Sequence, residues 1–80
     1  MARYGLIWLE IAREDYASMP EATRVQISTR IEQLLENPRQ AHDGYDQLTD
    51  QWTTTYSDGA GLIVYAVVDE RHRVIILRLV

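Results

Sequence analysis

Apolar positions along the eighty-residue chain fall into blocks whose period changes from two to near four and back. Tyr4, Leu6 and Trp8 alternate with Gly5, Ile7 and Leu9, which predicts a strand partly covered on both faces. From Glu10 the period lengthens. Ile11, Ala12, Tyr16 and Met19 stand near helical spacing, so a short helix is expected over about 10–18. Ser18-Met19-Pro20-Glu21 reads as a break and restart, because proline is favoured in a first turn and Glu21 suits the positive end of a helix dipole. The second helix has the clearer pattern. Val25, Ile27, Ile31, Leu34 and Leu35 contain an i, i+4, i+7, i+8 stripe, with Arg24, Arg30, Glu32 and Glu36 mostly off it. Asn37-Pro38 ends it, since proline disfavours helical geometry at the preceding residue.

Residues 37–50 are polar, turn-rich and without period, and are expected to form a long loop. Three strands follow. Gln51 to Tyr56 is rich in threonine and aromatics, Leu62 to Val68 is almost wholly apolar, and Arg73 to Val80 closes the chain. The turns between them are Ser57-Asp58-Gly59-Ala60-Gly61 and Asp69 to His72. The run Leu62 to Val68 predicts a central strand buried on both faces. The order is β-α-α-β-β-β: an α+β domain over residues 1–80, with two helices on one face of a small, largely antiparallel sheet.

Composition narrows the function classes. No cysteine is present, which removes disulfides, thiolate metal sites and thiol nucleophiles. No apolar run approaches the ~20 residues of a membrane-spanning helix, and Met1-Ala2-Arg3-Tyr4 has no signal-peptide pattern, so a cytoplasmic protein is expected. Twelve acidic residues stand against eight basic ones, all arginine, giving a net charge of −4 and a pI near 4.9. No segment is basic: 51–80 sets Asp58, Asp69 and Glu70 against Arg71, Arg73 and Arg78. Proteins that grip nucleic acid backbones usually present a basic face, which this balance opposes.

Few residues carry candidate chemistry. His42-Asp43, with Asp46 and Asp50 nearby, could form a metal or acid–base cluster, but the spacing lacks the regularity of a metal motif, and the favoured reading is a solvated polar loop. No metal or cofactor is implied. Gly59-Ala60-Gly61 is too short for a phosphate loop and has no following helix. Thr53 and Thr55 share one face of their strand, and Trp52, Thr54 and Tyr56 share the other. Arg78, between Leu77 and Leu79, places a charge on a sheet face, where it must reach solvent, a carboxylate or a partner.

Four stretches, in order, resemble the RelE/ParE superfamily of type II toxin–antitoxin toxins. They are Tyr4-x-Leu6-x-Trp8, Leu35-Glu36-Asn37-Pro38-Arg39, Ile63-Val64-Tyr65-Ala66-Val67-Val68-Asp69-Glu70 and Val74-Ile75-Ile76-Leu77-Arg78-Leu79. Together they span nearly the whole chain. The resemblance implies a small α+β toxin neutralised by a cognate antitoxin, of a kind tied to plasmid stabilisation and translation inhibition. Its target would be ribosome-bound mRNA, as in the RelE branch, or DNA gyrase, as in the ParE branch.

The residues depart from the nuclease branch at its working positions. Thr53 and Thr55 occupy the face where those nucleases carry basic residues, and Leu62 stands where the family's Tyr-Arg-x-x-Tyr pattern has arginine. The family continues past its last strand into a Gly-His/Lys-Arg type segment, whereas this sequence ends at Val80. Arg78 is the basic residue left for that face, with His42 and Asp43 as loop contributors. Three readings stay open: a toxin-like component acting through protein binding, a ribosome-dependent endoribonuclease using Arg78, and a homo-oligomeric (for instance dimeric) interaction domain without toxicity.

Overall fold

A computed structural model of the chain describes residues 3–39 and 44–80. Strand β1 (Gly5–Trp8) leads into helix α1 (Glu10–Ala17) and helix α2 (Glu21–Glu36). Strands β2 (Gly44–Asp46), β3 (Gln51–Tyr56), β4 (Gly61–Val68) and β5 (Arg73–Leu79) complete the chain. The five strands lie in the order β1-β5-β4-β3-β2; β1 runs parallel to β5 and every other pair is antiparallel.

The core follows the helical stripe. Ile27, Ile31, Leu34 and Leu35 of α2 are buried with Ala12 of α1 against Ile63 and Tyr65 of β4 and Val74, Ile76 and Leu79 of β5. Val25 departs from expectation. It is 59% exposed, because at two residues before Ile27 it points about 200° around the helix from the buried row. Asn37 takes an extended conformation (φ −156°, ψ 79°) ahead of Pro38, which stops α2. The end is then fastened twice: the Tyr4 N–H donates to the Leu35 carbonyl at 2.9 Å, and the Tyr65 hydroxyl donates to the Pro38 carbonyl at 2.5 Å.

The 37–50 segment is not wholly irregular, since Gly44–Asp46 pairs with Gln51–Thr53 as a short edge strand. Three residues have too little length to show a period; the pairing comes from the tight turn and from the Tyr45 and Trp52 rings, whose centroids lie 4.3 Å apart. His42 and Asp43 lie outside the described residues. Strand β4 also differs from expectation. Ile63 and Tyr65 are buried beneath the helices, but Leu62 on the opposite face is exposed, so only one side of the strand is fully covered.

A bulge decides where Arg78 points. Strict alternation from Val74 and Ile76 would turn Arg78 into the core. Tyr65 pairs with Ile76, yet the next residue, Val64, pairs with Arg78, leaving Leu77 as the extra residue. Leu79 therefore enters the core and Arg78 emerges on the face away from the helices.

The open sheet face as a candidate functional site

The helices cover one face of the sheet, and the pairing register assembles the other. Thr53 stands opposite Val64, and Val64 opposite Arg78, so the three form a row across β3, β4 and β5. A second row joins Thr55 to Leu62 and continues to Val80, whose N–H and carbonyl exchange hydrogen bonds of 2.9 and 3.0 Å with Leu62. Thus Thr53, Thr55, Leu62 and Arg78, which are far apart in sequence, share one surface. Their chemistry is hydroxyl, aliphatic and one guanidinium.

That guanidinium is engaged. Arg78 Nε donates to Asp15 Oδ2 at 2.9 Å, and the Leu79 N–H donates to the same oxygen at 3.2 Å. The Leu79 N–H above all holds the Asp15 carboxyl below its usual value of 3.8; burial opposes it, and the Arg78 side chain adds to the lowering. Asp15 thereby satisfies a β5 backbone donor that extends beyond the end of β1. Sequence inspection missed it, because nothing local to α1 marks one of its acidic residues as the partner of a strand 63 residues away.

Two further polar constructions lie on the helix side. Thr54 is completely buried, and its Oγ1 accepts from Arg30 Nε at 2.9 Å and Nη2 at 2.6 Å. Arg30 also reaches Gln33 Oε1 at 2.7 Å, so α2 is clamped to β3 by a directional contact as well as by packing. At the far end of the sheet, Arg39 grips Asp69 through both terminal nitrogens, one at 2.7 Å, and the Tyr4 hydroxyl donates to Asp69 at 3.0 Å. Arg39, followed by Tyr4, draws the Asp69 carboxyl below its usual value and is itself raised in return. Arg39 also lies 5.9 Å from the Trp52 ring centroid. These contacts join the end of α2 to the β4–β5 turn. Among the described residues, no group of three or more His, Asp or Glu side chains is placed to hold a metal ion. No helix there is long and apolar enough to cross a membrane.

No protein-family profile matches the chain, and no curated protein sequence matches it. Solved structures do. The RelBE2 toxin–antitoxin complex of Mycobacterium tuberculosis contains a chain that superposes with a TM-score of 0.86 at 21% identity, over 100% of this chain and 92% of that one. The intact RelBE toxin–antitoxin complex of E. coli gives 0.84 at 22% identity, over 95% and 93%. The archaeal RelE–RelB complex of Pyrococcus horikoshii OT3 gives 0.72 at 18% identity, over 98% and 93%. The chain has the RelE toxin fold.

On this RelE fold, two helices and a five-stranded mixed sheet leave one broad sheet face with no element over it among the described residues. Thr53, Thr55 and Leu62 supply the β3–β4 part of that face with no charge; its cations are Arg78, which leans to the edge toward α1, and exposed Arg73 at the opposite end of β5. The RelE fold positions these side chains together.

Proposed function

We propose that the chain is the toxin-type component of a toxin–antitoxin pair, that it works in the cytoplasm, and that it acts by binding protein rather than by cutting RNA. The carrying observation is the composition of the two rows across β3, β4 and β5. There Thr53, Val64, Thr55 and Leu62 surround Arg78, already bonded to Asp15, while Arg73 stands at the far end of β5. Cleavage of a phosphodiester needs cations where charge develops on the phosphorane, together with a proton donor or acceptor. Threonine and leucine supply neither. A net charge of −4 further disfavours approach to a polyanion such as ribosomal RNA.

The toxin assignment draws support from the fold, because the matching M. tuberculosis, E. coli and P. horikoshii chains were solved in RelBE-type complexes. A RelB-like antitoxin is the partner this reading assigns. A gyrase-like protein is the class of cellular target it favours over ribosome-bound mRNA. The testing experiment is induced expression in a bacterial host, with and without the product of the adjacent open reading frame. Growth arrest relieved by that product, with the two proteins co-purifying, is the expected result. Unimpaired growth would overturn the reading.

A further inference from the structure

The two outer edges of the sheet are unlike one another. Strand β2 is three residues long and carries Asp46, features that blunt an edge against pairing. Strand β1 is the other edge, and from Gly5 through Leu9 it has no charged residue. The Gly5 N–H donates to the His72 carbonyl at 2.7 Å and the Leu9 N–H to the Ile76 carbonyl at 3.1 Å, so residues 5, 7 and 9 aim their backbone groups at β5. By strand alternation, the peptide groups of Leu6 and Trp8 point away from the sheet, where no strand covers them among the described residues. Exposed apolar side chains gather at the same place: Leu6, Ile7, Leu9 and Ile11 are each between 37% and 45% exposed.

We propose that this edge pairs with the same edge of a second copy, joining two five-stranded sheets across a two-fold axis. The free backbone groups select the register. Antiparallel pairing that sets Leu6 against Trp8 of the second copy, and Trp8 against its Leu6, uses all the outward N–H and carbonyl groups in four hydrogen bonds. Moving the axis to Leu6 would require the Tyr4 N–H, which is already given to Leu35. Moving it to Trp8 would require Glu10, which is helical.

The side chains agree with that register. Leu6 and Trp8 lie on the helix side, because Leu6 pairs with buried Val74 and Trp8 with buried Ile76, and each would meet the other across the axis. Ile7 lies on the open face beside Ile75 and would meet Ile7 of the second copy. The flanks do not oppose the pairing. Arg3, whose guanidinium meets Glu32 of its own chain, precedes the strand, and Glu10 and Glu14 follow it. Antiparallel pairing therefore brings that end of one chain near the acidic start of α1 in the second copy. An interface of this kind is isologous and closes at two copies.

The test combines sedimentation equilibrium with amide hydrogen exchange on the purified chain and on Ile7→Lys. Ile7 is on the surface of the single chain, so the substitution leaves its fold intact, which circular dichroism checks. A dimer is expected whose Leu6 and Trp8 amides exchange more slowly as protein concentration rises. Ile7→Lys, by opposing two ammonium groups at the axis, is expected to weaken it at least about tenfold. A chain that stays monomeric at concentrations on the order of 100 μM overturns the proposal. So does a dimer that tolerates Ile7→Lys, or one whose Leu6 and Trp8 amides are unprotected. Protection of those amides only when an antitoxin is added would assign the edge to that partner instead and would likewise overturn it.

Discussion

Asp15 and Arg78, 63 residues apart in sequence, meet through a 2.9 Å hydrogen bond between a helix carboxylate and the one guanidinium of the open-face rows. The same carboxylate oxygen takes the Leu79 N–H, so a single side chain terminates β5 and restrains Arg78. Because the folded state holds the Asp15 carboxyl below 3.8, its contribution is complete above the ordinary carboxylate range and is lost as pH falls through the lowered value. Asp15→Asn is therefore expected to lower Tm by about 3 °C at pH 7, with the gap to wild type closing in strong acid. Thermal melts of both proteins across pH 2–7 check the sign.

The clamp between α2 and β3 predicts a different pair of effects. Thr54 is buried with its hydroxyl accepting from Arg30, so Thr54→Val removes the acceptor while keeping the volume. A loss of about 1–3 kcal/mol is expected by urea denaturation. Thr54→Ser, which keeps the oxygen, is expected to lose less than Thr54→Val.

Position along α2 separates core from surface. Leu34 is fully buried, and Leu34→Ala is expected to cost about 2–5 kcal/mol. Val25→Ala, although Val25 resembles a stripe residue in sequence, is expected to stay within about 0.5 kcal/mol of wild type. The same denaturation measurement on both variants reads the contrast directly.

Gly61 has a packing role rather than a conformational one. A Cβ there would overlap the Tyr56 ring, which lies across the glycine with its hydroxyl donating to the Val80 carbonyl at 3.0 Å. Gly61→Ala is expected to destabilise by about 1–3 kcal/mol through displacement of that ring. Near-ultraviolet circular dichroism should register the tyrosine's changed environment.

Local periodicity was enough to read most elements from the sequence. Both helices, the break at Pro20 and the long strands declare themselves through spacing and turn residues within a short window. The faces assigned to Thr53 and Thr55 against Trp52, Thr54 and Tyr56 follow from alternation alone and match the burial of Thr54 and Tyr56. What could not be read depends on partners distant in the chain. The strand at Gly44–Asp46 exists by pairing with β3, Arg78 changes face because Leu77 bulges opposite β4, and Asp15 acquires its role only when α1 docks beside β5. The open face was legible as a set of residue types but not as two rows, since rows are a property of register.

The central claim, a toxin-type protein that binds rather than cuts, is tested most directly by mapping messenger RNA ends after induction of the wild-type chain and of Arg78→Ala in a bacterial host. Both proteins are predicted to leave transcripts intact while the wild type arrests growth. Cuts within ribosome-bound messages that appear with wild type and vanish with Arg78→Ala would contradict the account.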